Sequence, residues 1–310
     1  MKALVARSYG PLEELEFTDL PTPVPGPGQL LVRMEAASIN AVDKVLVTGS
    51  MREAIPATHP FVPGVDISGT VEAVGEGSTR FVVGDPVIAW NSIPSGALAE
   101  YALISDAPSA ARRPAALTPA QGAALPTGAL TAAALLDITR VPLHGSVLIV
   151  GASGGVGSFT VQLAKRAGLT VLAGGRDSDS DFLHRLGADH TLDYRAGDLA
   201  QAAHRLVPGG VDAVIDLAHA GPALATTAAA AKPGGRLVSP LGGPAAFDRE
   251  VSAAYGGTRA PEGRLEALAA QAARGTLRIE IDSDYSFGQA RQALLDYAAN
   301  HIRGKVTVTF

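Results

Sequence analysis

The sequence predicts an α/β protein in which a doubly wound parallel sheet is inserted into a β-rich domain. Three observations carry this. From "SVLIV" (146–150) onward, short apolar strands alternate with helical segments, the pattern of right-handed βαβ units on a parallel sheet. Before Thr118 the chain instead shows many short strands cut by Gly and Pro, as in a compact β-rich domain. The closing "KVTVTF" alternates Val306 and Val308 with Thr307 and Thr309, and matches the first third better than the middle. The β-rich domain is therefore expected to be discontinuous, 1–117 completed by 262–310, around an α/β domain at 118–261.

In the first third, "QLLVRMEAASI" (29–39) sets Leu31, Arg33 and Glu35 against Leu30, Val32 and Met34, and reads as a strand. "SGTVEAVG" (68–75), "GDPVIAW" (84–90) and "ALAEYALI" (97–104) are further strands, separated by Gly- and Pro-containing turns. Residues 118–139 are alanine-rich and predict a helix, interrupted at Pro126 and Gly128. Then come strands at "SVLIV", "TVLAGG" (170–175), "DAVIDLA" (212–218) and "GRLVSPL" (235–241), with helices at 157–167, 179–186 and 223–231. Helices at 265–274 and 289–300 precede the last strand.

Composition excludes several function classes. A chain of 310 residues, 47% hydrophobic and 18% charged, is long enough for two cores and too apolar for disorder. The net charge of -5, without blocks of like charge, excludes nucleic acid and acidic membrane surfaces as expected partners. With no cysteine there is no disulfide framework and no thiolate for a metal; the expected compartment is the reducing cytoplasm. "MKALVARSYG" lacks the apolar core of a signal peptide, and runs such as "VLIV" and "AALL" are far shorter than the ~20 residues of a membrane helix.

The chemistry centres on "VLIVGASGGVGSFTVQLAK" (147–165). A short apolar strand leads into Ala152-Ser153-Gly154-Gly155-Val156-Gly157 and then an amphipathic helix. The A-x-G-x-x-G spacing, in a strand–loop–helix–strand context, is a dinucleotide fingerprint. Ala152 is expected to permit the tight turn, Gly154 to let the backbone approach a pyrophosphate, and Gly157 to let helix and strand pack. The helix amino terminus adds free N–H groups and a positive dipole end. At the end of the next strand an NAD site usually carries Asp or Glu; here Gly174-Gly175-Arg176 stands, which favours a 2′-phosphate and so NADP(H). Asp177, Asp179 and Asp181 follow closely and oppose an anion.

These motifs, with "ASINAVD", "FVPGVDISGTVEAVGEG", "GALAEYALI", "ALPTGALTAAALL", "LGADHTLDY" and "IRGKVTVTF", resemble in shared order a zinc-independent medium-chain dehydrogenase/reductase of the quinone oxidoreductase and alkenal/enone reductase type. The resemblance implies a GroES-like catalytic domain and a Rossmann NADP(H) domain with a cleft between them. It implies that Tyr194 helps hold the 2′-phosphate, that Thr127 and Thr131 lie near the nicotinamide with the loop Ser239 to Gly242, Leu241 included, and that Gly155, Val156, Gly175 and Lys305 join the cofactor site. Asn40 and Asp43 become the candidate catalytic residues, Asn40 as hydrogen-bond donor to the substrate carbonyl. The implied reaction is reduction of a small-molecule quinone or an enone; the competing readings are a tailoring reductase of polyketide-like enones and a non-catalytic NADPH sensor. A homodimer is implied, joined through an edge strand for which "REVSAAYGG" (249–257) is the candidate. No metal is expected: where the zinc-dependent branch has Cys stands Asn40, and Gly64-Val65-Asp66 replaces its Gly-His-Glu. The seven histidines are scattered, Ser153 lacks the G-x-S-x-G spacing of a hydrolase, and Asp66 reads as one unpaired acid among many. Relatives often carry Tyr and Arg after Asp43, where this chain has Val45 and Val47.

Overall fold

The computed structural model describes residues 1–91 and 96–310. The chain forms two compact units, Met1–Thr127 with Ala260–Phe310, and Gly128–Arg259. The first unit runs β1 (Lys2–Val5), β2 (Glu16–Asp19), β3 (Gln29–Ile39), α1 (Ala41–Thr48), β4 (Asp66–Val74), β5 (Pro86–Trp90), β6 (Tyr101–Ser105), β7 (Ala110–Arg112) and α2 (Pro119–Ala124). Next come α3 (Pro126–Thr139), β8 (Ser146–Val150), α4 (Gly157–Arg166), β9 (Thr170–Gly175), α5 (Ser180–Leu186), β10 (His190–Asp193) and α6 (Leu199–Leu206). The second unit ends with β11 (Val211–Asp216), α7 (Leu224–Ala228), β12 (Ala231–Ser239), β13 (Ala246–Phe247) and β14 (Val251–Tyr255). The tail returns to the first unit as α8 (Arg264–Ala273), β15 (Ile281–Ser286), α9 (Ala290–Ala299) and β16 (Lys305–Thr309).

In the first unit, β1 and β2 form an antiparallel ribbon, and a larger sheet has the order β15-β16-β3-β4-β5-β7, with β6 also on β3. β3 is long enough to take two neighbours on one edge. Its first half pairs with β6, Gln29 opposite Ser105, and its second half with β16, Ile39 opposite Val306. The alternation in "KVTVTF" is real, but Val306, Thr307 and Val308 are all buried, and Thr307 satisfies its hydroxyl on Asp284 at 2.7 Å.

In the second unit, seven strands take the order β10-β9-β8-β11-β12-β14-β13, all parallel except β13. The chain reverses its direction of travel across the sheet between β8 and β11, the switch point at which doubly wound sheets bind ligands. β8 explains the continuous apolar run: Val147 and Ile149 enter the core on one face, Leu148 and Val150 that on the other.

Several expectations need correction. The first unit extends to Thr127 rather than 117, because α2 packs on β3, β4 and β16. The helical stretch 118–139 breaks at Leu125–Pro126 only; Gly128 lies inside α3, where a Cβ would meet the Gly155 carbonyl oxygen at 2.9 Å and the Phe159 ring at 2.8 Å. Taken together, α2 and α3 (Pro119–Thr139) have the length and apolar composition of a membrane span, but 72% of that window is buried in the fold, as in the core helix of a globular domain. "REVSAAYGG" forms β14, but it is not the outermost strand: the hairpin partner β13 caps its first residues, Ala246 opposite Ser252. β1, β2, β7, β15, α1 and α6 were not read from the sequence, α6 even though its eight residues are amphipathic.

Candidate active site

The carboxyl ends of the second unit's parallel strands carry most of the expected cofactor residues. After β8 the tight turn is made by Gly151, with φ +76°, not by Ala152. Ala152 is fully buried, and its N–H ties the loop to β9 through Gly174 O at 3.1 Å. Gly157 must be glycine, since a Cβ there would lie 2.2 Å from the Gly151 carbonyl oxygen. Gly154 is different: its Cβ would come no closer than 3.5 Å to any neighbour. Ser153 is buried, and Val156 is half-buried at the cap of α4. The N–H groups of Gly155, Val156 and Gly157 make no hydrogen bond to a described residue. Three free donors at the start of a ten-residue helix are an arrangement suited to an anion such as a diphosphate.

The next strand ends bring Arg176 and Tyr194 together. Arg176 Nε donates to the Tyr194 hydroxyl at 3.0 Å, and Tyr194 N–H donates to Gly175 O at 3.1 Å. Asp179, which sequence alone set against an anion, is buried and turned inward, accepting the Arg176 N–H at 3.0 Å. On the other side of β8, Ser239 Oγ accepts the Leu241 N–H at 3.1 Å, and Gly242, with φ +74°, accepts from Gly221 N–H at 2.9 Å. Thr131 on α3 pairs its hydroxyl with that of Thr258 at 2.8 Å.

The first unit gathers the remaining candidates around a residue that sequence reading discounted. Asp66, at the start of β4, is fully buried. Its Oδ1 accepts the Thr127 N–H at 2.9 Å and the Thr127 hydroxyl at 2.6 Å. Its Oδ2 accepts from Ser38 Oγ at 2.8 Å, Asn40 Nδ2 at 2.9 Å and Lys305 Nζ at 3.1 Å. Lys305 also donates to Asn40 Oδ1 at 2.6 Å and is only 2% exposed. Asn40 spends its second amide hydrogen on Ser38 O at 3.2 Å. Both amide hydrogens are therefore engaged, and Asn40 serves this arrangement as a positioning residue rather than as a free donor.

Asp43, one turn into α1, closes the helix cap by accepting the Asn40 N–H at 2.7 Å, and its other oxygen accepts the Gly64 N–H at 3.0 Å. Burial pushes its carboxyl up to about 7; the Asn40 N–H opposes this, the nearby Asp66 charge adds to it, and burial wins. Burial and then the Asp43 charge likewise push the Tyr297 phenol up to about 12. Val47 is buried and Val45 half-buried on α1, so neither brings a proton-transfer group to this centre.

Two residues escaped sequence reading. Asp66 sat in "GVD" with no paired acid nearby, and its donors come from positions 38, 40, 127 and 305. Asp216 closes β11, the one inner strand end to which no role was assigned; it is buried and accepts four hydrogen bonds. A strand ending in Asp at the switch point is the signal that could have found it.

Comparison with known proteins follows this geometry. Residues 26–112 match the family model described as alcohol dehydrogenase GroES-like domain, and residues 186–308 match that described as zinc-binding dehydrogenase. The chain is 30% identical to a chloroplastic quinone-oxidoreductase of Triphysaria versicolor over 99% of its length and 98% of that protein. It is 39% identical to a chloroplastic quinone-oxidoreductase homolog of Spinacia oleracea over 203 residues, 63% of this chain and 61% of that protein. A mycobacterial protein solved in complex with NADPH superimposes with a TM-score of 0.88 at 27% identity, each chain covered in full. The free N–H cradle, with Gly157 held against the strand end, fits a nicotinamide dinucleotide, and this chain takes such a cofactor. Zinc is not suited by the residues present: Asn40, Val65 and Asp66 stand in the ligand positions, and the Lys305 ammonium is already the cation of the cluster. On sequence, on both domain models and on fold, the chain belongs to the medium-chain dehydrogenase/reductase family of nicotinamide-dependent oxidoreductases, in the quinone oxidoreductase branch.

Proposed function

We propose that this chain is an NADPH-dependent, zinc-independent reductase of quinones or of the C=C bond of α,β-unsaturated carbonyls. The observation that carries the reading is the Arg176–Tyr194 pair beside the free N–H cradle, with Asp179 turned inward although Asp177 next to Arg176 stays exposed. When bound, the nicotinamide supplies a hydride to the electron-poor carbon or quinone, and solvent supplies the proton that completes the reduced product.

The first unit's own groups act by position. Thr127 gives both its hydrogens to Asp66, so its hydroxyl oxygen is left as an acceptor for an N–H on a ligand. Asp66 fixes that orientation, and Lys305 and Asn40 fix Asp66. Both Asn40 amide hydrogens are engaged within the protein, so the Asn40 amide does not polarise the substrate oxygen; a bound cofactor or water would have to supply that donor. Asn40, Val65 and the Lys305-paired Asp66 do not suit the zinc that would stabilise an alkoxide in alcohol oxidation, whereas an enone or quinone starts electron-poor.

The reading includes a homodimer joined at the β13–β14 edge of the second unit, where unpaired strand backbone needs a partner or cover. It also includes a reducing cytoplasm, in keeping with a chain without cysteine. The test is calorimetric titration of NADPH and NADH, with turnover on a panel of quinones, enones and alcohols. Tight NADPH binding with quinone or enone reduction supports the reading; NADH binding as tightly, or rapid alcohol oxidation, overturns it. A monomer mass by light scattering at micromolar concentration removes the dimer.

A further inference from the structure

His219 and Asp216 form a dyad at the carboxyl end of β11. Asp216 Oδ1 accepts the N–H groups of Ala218 and His219 at 2.9 and 2.8 Å, closing a turn directly after the strand. Its Oδ2 accepts the Thr227 hydroxyl at 2.6 Å and faces His219 Nδ1 at 3.0 Å. Four donors converge on one buried carboxylate, so the imidazole is held from behind, and its Nδ1 carries the proton given to Asp216. Nε2 has no described partner, and the side chain is 41% exposed.

The location gives this nitrogen a use. Leu217 N–H is bound to Val150 O at 3.1 Å, and a Cβ on Gly151 would touch Leu217 and Ala218, so the dyad's loop lies against the dinucleotide turn. On its other flank Gly221 N–H bonds Gly242 O. In a doubly wound sheet the pyrophosphate sits at the first strand's turn, and the adenosine side lies over the second strand. The other half of the dinucleotide therefore falls on the β11 side of the switch point, where the dyad stands.

We propose that His219, oriented by Asp216, binds the ribose of the nicotinamide half through Nε2, accepting a hydrogen bond from a ribose hydroxyl. This rests on the dinucleotide reading above. The experiment is calorimetry on the full chain with NADPH and with 2′,5′-ADP, which lacks the nicotinamide-side ribose, alongside melting temperature; NADH and 5′-AMP form the matching pair without the 2′-phosphate. His219→Asn keeps a donor where Nδ1 was and removes the outward nitrogen. It should melt like the wild type, bind NADPH about 3- to 10-fold more weakly, and bind 2′,5′-ADP unchanged. His219→Ala should lose NADPH affinity at least as far. Wild-type NADPH affinity in His219→Asn, or an equal loss for both ligands, overturns the proposal. Failure of the wild type to bind any dinucleotide overturns both it and the reading beneath it, whereas wild-type binding of NADPH with an unaffected variant overturns this proposal alone.

Discussion

The Lys305 ammonium lies 3.1 Å from Asp66 Oδ2 with both side chains buried, joining the last strand of the chain to the fourth. A buried ion pair adds little net stability over an apolar pair of like volume, but breaking one side strands the other charge. Lys305→Met is therefore expected to destabilise by about 3–5 kcal/mol. Adding Asp66→Asn should recover part of that loss, so the two costs should fall well short of additive. Urea denaturation of the four proteins measures the coupling; additive losses would show that the two charges do not depend on each other.

Asn40→Ala takes an acceptor from Lys305 and a donor from Asp66, both buried. A stability loss of about 1–3 kcal/mol follows from the stranded groups alone. If Asn40 positions Thr127 through Asp66, kcat for quinone or enone should also fall while NADPH affinity changes little. Melting temperature, cofactor affinity and turnover on the one variant separate these effects: full turnover from a destabilised protein would reduce Asn40 to a structural residue.

Asp43 makes stability fall as pH rises. Its folded carboxyl titrates at about 7 against 3.8 for an exposed aspartate, so between those values the folded chain holds a proton that the unfolded chain has released. The loss accumulates from about pH 4 to 7 and then levels off, approaching about 4 kcal/mol for three pH units. Asp66, Lys305 and Tyr297 are the ionisable groups that bear on it. Asp189 and Asp212 work in the opposite sense and in another window. Burial raises each, but bonds from Lys165 or Lys232 and from backbone N–H groups outweigh it and lower the carboxyl, so their contribution is lost only as pH falls below about 4. The urea midpoint of the wild type between pH 5 and 8 should therefore decline, and Asp43→Asn should flatten that slope. An equal slope in both proteins would assign the titration elsewhere.

Local signals made the α/β unit legible. The apolar run of β8 and the small residues after it adjoin in the sequence, and Gly174-Gly175-Arg176 stands at the end of the very next strand, so spacing alone exposes them. The discontinuity of the β-rich unit was legible because "KVTVTF" needs a sheet edge, and β3 has one. Asp66 was not legible, because its meaning depends on donors 26 to 239 residues away meeting at one carboxylate. The role of Ala152 was misplaced by one residue, since a fingerprint gives spacing but not which position takes the positive φ. β14 was read as an edge because nothing in "GPAAFD" announces the two-residue strand that covers it.

Arg176 and Tyr194 should set cofactor choice. The guanidinium is oriented by the Tyr194 hydroxyl at 3.0 Å and stands where a ribose-binding acid would otherwise lie. Arg176→Ala should weaken NADPH by about 10-fold or more, the scale of one lost charge-assisted hydrogen bond, and leave NADH nearly unchanged. Tyr194→Phe should give a smaller shift in the same direction. Equal losses for the two cofactors in Arg176→Ala would mean that the arginine does not read the 2′-phosphate.

Two glycines of the second unit test whether the loop is shaped for a ligand or only for packing. Inside a helix, Gly→Ala ordinarily stabilises by up to about 1 kcal/mol, so propensity alone predicts that Gly128→Ala raises the melting temperature. Here the new methyl would press on the Gly155 carbonyl at 2.9 Å and the Phe159 ring at 2.8 Å. The carbonyl belongs to the loop that presents the free N–H groups, and backbone cannot rotate aside as a side chain can. The clash should therefore outweigh propensity, and Gly128→Ala should lower both stability and NADPH affinity. Gly154→Ala is the counterpart. Its methyl would meet nothing nearer than 3.5 Å within the protein, so folding should be spared, yet it adds bulk to the backbone expected to approach the diphosphate. Affinity for NADPH and for 2′,5′-ADP should then fall together while the melting temperature holds. A Gly154→Ala protein that binds both ligands like the wild type would mean that no diphosphate approaches the loop at this residue.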